Sequence, residues 1–354
     1  MMARRILIDA LAARYGGTAY AAVQLARQLT RSPAVSDVSV VARQGSIVEQ
    51  SLVDDDEVKC VALPAASWLE VARRAAWETL RLPPLVAREQ YDVVISMSGM
   101  LPRPPGRPVI CLLYNPVMYE SPTAANALRK WAVRRTAREA RYVAAPSRMM
   151  AERVTTSIGR ECAVVPLGVD HEVFTPAAEA GDEILCVADF YAHKRHDLIV
   201  DTWLQLSSPR PRLRFVGNPD VDPKVHSELL ARIATLPERQ SIVLEYQISL
   251  DRLVGAYQHA RLLLMASEHE SFCMPMVESM ACGVPVVARG LPSLRETGGD
   301  GASYIDGNDP VAWAAAVENL LENDAVHHRA RNLAVGAAAR FSWTAMAQAV
   351  AAHL

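Results

Sequence analysis

The sequence predicts an α/β protein with two doubly wound domains that face each other across a cleft. Predicted strands and helices alternate along nearly the whole chain, and repeated strand–helix–strand units imply parallel sheets wrapped by helices. The length of 354 residues is enough for two domains of ordinary size. The charge divides as well, with a net +6 over residues 1–170 and a net −8 over the remainder. The join falls in the segment Thr175–Asp182, which is rich in Pro, Ala and acidic residues, so we predict domains at 1–175 and 176–335.

Short apolar runs mark the strands, and segments with helical periodicity separate most of them. In chain order, the predicted strands are Arg5–Asp9, Val38–Ala42, Tyr91–Ser96, Val109–Tyr114, Tyr142–Ala145, Ala163–Val165, Glu183–Ala188, Leu213–Val216, Ser241–Glu245, Arg261–Met265, Val284–Ala288 and Ser303–Ile305. The predicted helices include Thr18–Thr30, Ser67–Leu80, Ala124–Glu139 and Pro310–Asn323. Ligands of parallel sheets bind outside the carboxyl ends of the strands, so we expect functional residues in the loops there.

The most informative of these loops follows the strand that ends at Met265 and turns into a short helix. Pro275 suits the first helical position, where its missing N–H group costs nothing. Gly283 suits the left-handed residue just past the helix end. This assignment puts Glu270 on the loop and Glu278 about one turn inside the helix.

The start of this helix predicts a binding site for an anion. The backbone N–H groups of Phe272, Cys273 and Met274 are free there, at a positively polarised helix end. Glu270 and Glu278 flank them and can accept hydrogen bonds from sugar or ribose hydroxyls. The segment therefore offers a phosphate site and polyol acceptors, which are the two groups that an activated sugar carries.

A pair of glycines predicts a second binding element. Gly16 and Gly17 follow the first strand and open the helix that continues to Thr30. Small residues at this point let a phosphate or a sugar approach the backbone amides. A plain tight turn is the alternative interpretation of these two residues.

Lys194 is a third candidate, in a chain with 4 lysines and 33 arginines. A lysine just beyond a predicted strand indicates a need for a compact point charge, as a diphosphate leaving group requires. Its neighbours His193, Arg195 and His196 extend a positive cluster. A solvated loop is the alternative interpretation of this cluster.

Other features bound the partners and the compartment. The basic stretch Arg129–Arg141 has helical periodicity and contains Trp131, which indicates contact with an anionic membrane surface or acceptor, or else a solvated helix face. The basic half lacks the motifs of a nucleic-acid-binding protein.

No apolar run reaches the roughly 18 residues that span a bilayer. Six cysteines without metal-ligand spacing predict reduced thiols in a cytoplasm and no zinc site.

The combined motifs resemble the retaining GT-B glycosyltransferases of family 4, the group 1 glycosyl transferases. Glu270 and Glu278, with seven residues between them, match the paired-glutamate motif of this family. Gly16-Gly17 occupies the position of its N-terminal glycine loop. Further similar segments are Val165–Asp170 near the hinge, Ala281–Ala288, Leu294–Glu296, and Phe341–Trp343 at the start of a closing helix.

The resemblance implies a fold and a set of roles. GT-B enzymes have two Rossmann-like domains, and the segment 336–354 is then a helix that returns to the first domain. Glu278 binds the ribose hydroxyls, and Glu270 binds the hydroxyls of the donor sugar. Lys194 neutralises the diphosphate, with catalysis assigned to Glu270 and Lys194. The remaining donor-binding residues are Gly16, Gly17, Arg195, Ser271, Phe272, Cys273 and Met274.

The implied activity is the transfer of a hexose from a UDP-, GDP-, dTDP- or ADP-linked donor, with retention and without a metal or other cofactor. The acceptor is a glycan, a lipid-linked saccharide or a small natural product, and the enzyme is cytoplasmic or peripheral at the inner membrane face. A sugar-nucleotide epimerase, another GT-B enzyme and a non-catalytic carbohydrate-binding protein are the alternatives, because a fold does not fix a function.

Three departures from the family pattern concern the chemistry of the site. Ala188-Asp189 stands where the family places Gly-Arg, and Arg195 is the expected substitute for that arginine. Ser271 and Cys273 replace glycines of the paired-glutamate motif. The first histidine of the chain is His171, so Asn115 takes the region of the family's N-terminal histidine. Asn115 could donate a hydrogen bond to the donor sugar but could not act as a base.

Overall fold

The computed structural model describes residues 3–13, 16–64, 70–114 and 123–354. The chain forms two compact units, one from Met1–Gly168 with Ser342–Leu354 and one from Val169–Phe341. Each unit carries one parallel sheet whose strands alternate with helices. The predicted α/β class is therefore confirmed.

The first unit has a sheet in the order β3-β2-β1-β4-β5-β6-β7, and every observed strand pair is parallel. Its elements in chain order are β1 (Arg4–Asp9), α1 (Gly16–Thr30), β2 (Val35–Arg43), α2 (Ile47–Leu52), β3 (Val58–Leu63), α3 (Glu70–Leu80), α4 (Leu82–Arg88), β4 (Val93–Ser96), β5 (Val109–Leu112), α5 (Ala124–Glu139), β6 (Tyr142–Ala145), α6 (Arg148–Ile158) and β7 (Ala163–Val164).

The second unit has a parallel sheet in the order β10-β9-β8-β11-β12-β13. Its elements are β8 (Glu183–Val187), α7 (His196–Gln205), β9 (Leu213–Gly217), α8 (Pro223–Ala234), β10 (Ile242–Tyr246), α9 (Leu250–Gln258), β11 (Ala260–Met265), α10 (Met274–Ala281), β12 (Val286–Arg289), α11 (Pro292–Gly298), β13 (Ala302–Ile305), α12 (Pro310–Glu322) and α13 (Asp324–Ala338). The strand order reverses at the neighbouring pair β8 and β11, which is where parallel sheets open a crevice for ligands.

The last helix, α14 (Trp343–Ala351), packs in the first unit. Trp343 meets Tyr20 of α1 edge to face, with ring centroids 5.7 Å apart. Thr344 donates a hydrogen bond to Gln28 of the same helix at 3.0 Å. Gly168 lies so close to Trp343 that a Cβ atom there would meet the Trp343 backbone nitrogen at 2.1 Å.

Local sequence signals account for most element boundaries. Ser249 and Ser342 cap the starts of α9 and α14 by accepting hydrogen bonds from the backbone three residues on. The predicted strands match observed ones, but β3 is missing from the prediction. It is an edge strand with Lys59 and Ala62 exposed, so its apolar pattern is weak. The predicted helix 67–80 begins at Glu70 within the described residues.

The core of the second unit holds the strands that carry the site. Trp203 of α7 and Trp313 of α12 are almost fully buried with Phe215, Leu264 and Val287 of the sheet. Burying a large apolar side chain contributes about 1.5–3 kcal/mol. This packing holds β8, β11 and β12 in place. The loops that follow these strands lie outside the core and can contact a ligand.

Gly181→Ala should destabilise the second unit by about 1–3 kcal/mol, because overpacking forces a backbone to move. A Cβ atom at Gly181 would lie 1.7 Å from the carbonyl oxygen of His259. Thermal unfolding should report a lower midpoint. The control is Gly255→Ala in α9, where a Cβ atom meets nothing within 4 Å and helix propensity should add about 1 kcal/mol. Equal midpoints for the two variants would contradict the close approach.

Candidate functional site

The loop between β11 and α10 has the form that the sequence predicts. Met274 opens α10, so Pro275 is its second residue and not the first as predicted, and Gly283 adopts φ +70° just after the helix, as predicted. The N-cap residue Cys273 has φ +74° and makes no side-chain cap. Within the described chain, no acceptor engages the N–H groups of Phe272, Cys273 or Met274. The start of α10 is thus open to an anion.

Lys194 and Glu270 meet at the reversal of strand order. Lys194 ends a 3₁₀ turn (Ala192–Lys194) after β8, and its Nζ lies 2.6 Å from Oε1 of Glu270 in the loop after β11. The two side chains are 18% and 11% exposed. Burial, the largest single cause, lowers the pKa of Lys194, but the neighbouring acidic groups, with Glu270 first among them, together outweigh it and the net pKa is raised. Lys194 is therefore a fixed cation at neutral pH.

Glu278 is buried on α10, one turn inside the helix. Its Oε2 accepts a hydrogen bond from the Tyr257 hydroxyl of α9 at 2.8 Å. Burial raises the pKa of Glu278 to about 7, against the lowering effect of this hydrogen bond. The carboxyl can therefore act as donor or acceptor near neutral pH. Sequence reasoning missed Tyr257, whose only signal is a tyrosine on the buried face of the helix before β11.

Arg195 is held by carboxylates. Its Nη1 donates to Glu268 Oε1 at 2.7 Å, and its Nε and Nη2 donate to Asp197 at 3.0 and 2.9 Å. Nη1 also contacts Oδ1 of Asn308 at 3.3 Å. These contacts raise the pKa of Arg195, with the Asp197 hydrogen bond as the largest cause. Sequence reasoning missed Glu268, Asp197 and Asn308, which are polar loop or helix-start residues without a motif.

The loop that carries Glu270 is fixed at both sides. The Glu268 N–H donates to the carbonyl of His193 at 2.8 Å. The Ser293 hydroxyl, on α11, donates to the carbonyl of Glu270 at 2.8 Å. The position of Glu270 is thus set by backbone contacts to the loop after β8 and to the helix after β12.

Two histidines beside Lys194 do not extend a positive cluster, contrary to the sequence expectation. Burial lowers the pKa of His193 and of His196 to about 4. The His193 ring stacks on Tyr191 with centroids 5.4 Å apart. Both imidazole rings are therefore neutral at pH 7, because burial disfavours the charged form. Lys194 and Arg195 supply the local positive charge.

Asp189 and Cys273, two of the departures from the family pattern, are packed against other residues, as is Phe272 beside Cys273. Asp189 accepts a hydrogen bond from the Asn218 N–H at 3.0 Å, and burial raises the pKa of this carboxyl. Phe272 packs edge to face on Phe341, 5.2 Å between centroids. Cys273 is buried, and burial raises the pKa of its thiol.

The first-unit candidates lie at the carboxyl edge of their own sheet or outside the described residues. Gly16 opens α1 with φ +64°, and a Cβ atom there would meet nothing within 4 Å. Glycine is favoured here by the positive φ angle and not by steric crowding around the residue. Asn115 lies outside the described residues. Among residues 3–13, 16–64, 70–114 and 123–354, no group of three His, Cys, Asp or Glu side chains could hold a metal ion.

Glu278→Gln should remove a pH dependence of stability. Burial raises the pKa of Glu278 from 4.5 to about 7, so between these values the folded chain keeps a proton that the unfolded chain has lost. Wild type therefore loses stability as pH rises through this window, by up to about 3 kcal/mol. Thermal unfolding across about pH 4–8 should show that the stability of the variant, relative to that of wild type, increases as the pH rises.

Tyr257→Phe is the companion variant for this measurement. It removes the hydrogen bond that lowers the Glu278 pKa, so the loss of stability should extend to higher pH. Parallel pH profiles for wild type and Glu278→Gln would contradict the raised pKa.

Known proteins resemble this chain in both units. Two family models match, "Glycosyl transferases group 1" over residues 181–323 and "Glycosyltransferase Family 4" over residues 15–173. The D-inositol 3-phosphate glycosyltransferase of Acidothermus cellulolyticus is 31% identical over 239 residues, 59% of this chain and 53% of that protein. Its counterpart in Thermobispora bispora is 32% identical over 211 residues, 53% and 49% of the two chains. This chain spans about half the length of the curated relatives that it matches.

Solved structures share the fold at low identity. Anabaena HepE in complex with UDP and glucose has a TM-score of 0.82 at 16% identity, covering 99% of this chain and 98% of that one. Sucrose-phosphate synthase from Thermosynechococcus elongatus has a TM-score of 0.81 at 17% identity, covering 98% and 97%. The chain has the GT-B fold and belongs to glycosyltransferase family 4, the group 1 glycosyl transferases.

Proposed function

We propose that the chain transfers a hexose from a nucleoside-diphosphate sugar to an acceptor hydroxyl, with retention and without a metal ion or other cofactor. The observation that carries this proposal is the 2.6 Å contact of Lys194 with Glu270 beside the open start of α10. A phosphate-binding cation and a polyol-binding carboxylate are adjacent there. Phosphate and sugar are likewise adjacent in an activated sugar.

The diphosphate binds Lys194 and the start of α10. As the glycosidic bond breaks, the leaving nucleoside diphosphate gains negative charge, which a fixed ammonium and a helix N-terminus stabilise. Because Lys194 and Glu270 bind each other, an incoming phosphate replaces a carboxylate as the partner of the ammonium. Glu270 is then free to accept hydrogen bonds from the hydroxyls of the donor sugar.

Glu278 binds the ribose hydroxyls. Tyr257 holds one carboxyl oxygen of Glu278, Oε2, at 2.8 Å. The other oxygen, Oε1, has no hydrogen-bond partner within the described part of the chain. The bond to Oε2 orients the carboxyl group, and Oε1 can accept hydrogen bonds from a ligand. This arrangement suits the two vicinal hydroxyls of a ribose. The helix α10 thus presents a phosphate site at its start and a ribose site one turn later.

The relatives narrow the choice of donor and acceptor to be tested first. HepE structures contain UDP, glucose or UDP-glucose, which supports UDP-linked donors, with GDP-, dTDP- and ADP-linked sugars as the rest of the panel. The curated relatives are named for D-inositol 3-phosphate. A small polyol therefore joins the glycan, the lipid-linked saccharide and the small natural product as candidate acceptors.

The experiment that tests the proposal is a calorimetric screen of this donor panel, followed by a nucleotide-release assay with the acceptor candidates. Acceptor-dependent release of nucleoside diphosphate is the expected result. Release of nucleoside diphosphate at the same rate with and without an acceptor would favour an epimerase or a hydrolase. Binding of a donor without any turnover would favour a carbohydrate-binding protein.

Lys194→Ala and Glu278→Ala should separate two roles. Lys194→Ala should slow transfer about 10²–10³-fold, because it removes charge stabilisation of the leaving group. Glu278→Ala should weaken nucleotide binding roughly tenfold or more, because the hydrogen bonds of the carboxyl to the ribose hydroxyls are lost. Calorimetry with UDP and transfer kinetics measure the two effects.

The matched control for these variants is Lys224→Ala. Lys224 lies on α8 with its side chain 83% exposed and pairs with Glu228 at 3.8 Å. Transfer by this control should equal that of wild type. Wild-type activity in both Lys194→Ala and Glu278→Ala would show that the site is wrongly assigned.

We also propose that the outward face of α5 contacts an anionic membrane surface on the cytoplasmic side. Trp131, Arg134, Arg135 and Arg138 recur at helical spacing and are exposed, Trp131 by 57%. An exposed indole among guanidinium groups is typical of interfacial helices. Arg135 also lines a cavity of about 370 Å³ together with Arg107 and Glu139. No described helix is long and apolar enough to cross a membrane.

Vesicles test this surface. Wild type should sediment with vesicles that contain about 30% phosphatidylglycerol and not with phosphatidylcholine alone, with weaker binding at high salt. The variant Arg134→Gln/Arg135→Gln/Arg138→Gln should lose about 3 kcal/mol of binding, since each basic residue contributes about 1 kcal/mol. A control carrying Arg239→Gln and Arg252→Gln in the second unit should bind like wild type. Equal binding by the two variants would indicate a solvated helix face.

A further inference from the structure

One arginine joins the loops that part at the reversal of strand order in the second sheet. Arg195 follows β8, yet its Nη1 donates to Glu268 in the loop after β11 at 2.7 Å. The same nitrogen lies 3.3 Å from Oδ1 of Asn308, in the loop after β13. A single guanidinium thereby connects three loops at the carboxyl edge of the sheet. Two of these loops carry Lys194 and Glu270.

The donors of this guanidinium are largely occupied. Nε and Nη2 face the two carboxylate oxygens of Asp197, and Nη1 faces Glu268 and Asn308. These contacts use four of the five N–H groups that an arginine offers. One N–H group of Nη2 is left, so a phosphate could form more than a single hydrogen bond with Arg195 only if a carboxylate partner were released.

The backbone of Arg195 has a left-handed conformation, with φ 55° and ψ 46°. Residues with a side chain rarely adopt it, and it persists only where surrounding contacts enforce it. The N–H of Arg195 donates to the carbonyl of Ala192 at 3.1 Å, which closes the short turn that ends in Lys194. The side-chain contacts therefore stabilise a backbone that sets the direction of Lys194.

We infer that Arg195 is a positioning residue, which keeps Lys194 in place while Lys194 changes its partner from Glu270 to the donor phosphate. This inference rests on the proposed function and differs from the diphosphate contact that the family resemblance implies for Arg195. When phosphate replaces Glu270, the ion pair between the two loops is lost. The Arg195–Glu268 pair remains, as does the backbone bond from Glu268 to His193 at 2.8 Å.

Arg195→Gln, Glu268→Ala and their double variant test this role. Hydrogen–deuterium exchange of the ligand-free full chain should show at least tenfold faster exchange over 189–196 and 266–272 in either single variant, and no further increase in the double variant. The rest of the second unit should exchange as in wild type. The control is Arg252→Gln, which breaks an exposed 2.7 Å pair with Glu245 and should leave both loops unchanged.

Nucleotide binding distinguishes positioning from direct contact. If Arg195 acts through Glu268, both single variants should weaken UDP binding by a similar factor, about fivefold or more. If Arg195 binds phosphate directly, Glu268→Ala should release the guanidinium and tighten UDP binding. That result, or unchanged exchange in the two loops, would overturn the inference. Failure of wild type to bind UDP, GDP, dTDP and ADP would instead count against the proposed function, while the exchange data would still decide the role of Arg195.

Discussion

The reversal of strand order between β8 and β11 is the constraint on which the candidate site depends. The chain leaves β8 toward one edge of the sheet and β11 toward the other. Because such crossovers are right-handed, the following helices lie on opposite faces of the sheet, and the loops after β8 and β11 diverge to leave a crevice between them. Lys194 comes from one of these loops and Glu270 from the other. No other neighbouring pair in this sheet offers such a crevice, because the remaining strands follow one another in a single direction on either side.

Three glutamates within one short segment show how the fold accommodates acidic groups that differ in exposure, from the 40% exposed Glu268 to the buried Glu278. Glu268 pairs with an arginine, Glu270 pairs with a lysine, and Glu278 receives a tyrosine hydroxyl and has a pKa of about 7. A carboxylate removed from water must find a cation or hydrogen-bond donors, or keep its proton. Glu268 and Glu270 each use a cation from the turn after β8, whereas Glu278 faces α9 and combines a hydrogen-bond donor with a raised pKa. The segment therefore combines ionic and proton-carrying groups within eleven residues, 268–278.

Local rules account for the parts of the site that lie close together in the sequence. The glycine after α10 and the proline near its start bracket that helix, and counting along it places Glu278 one turn inside. Contacts between elements could not be predicted in this way. Tyr257 and Glu278 are 21 residues apart, and Arg195 and Asn308 are 113 apart. Their meeting depends on which strands become neighbours, and apolar periodicity carries no information about that order.

The ion pair of Lys194 with Glu270 has a consequence for the protons of the site. A lysine as little exposed as this one, without a carboxylate beside it, would tend to lose its proton, because burial disfavours the charged form. Anion binding would then have to draw a proton from solvent. With Glu270 as its counter-ion, Lys194 is already charged before an anion arrives. Exchange of one anion for another at this ammonium is accordingly proton-neutral, and the charge of Lys194 is insulated from ordinary changes in the pH of its surroundings.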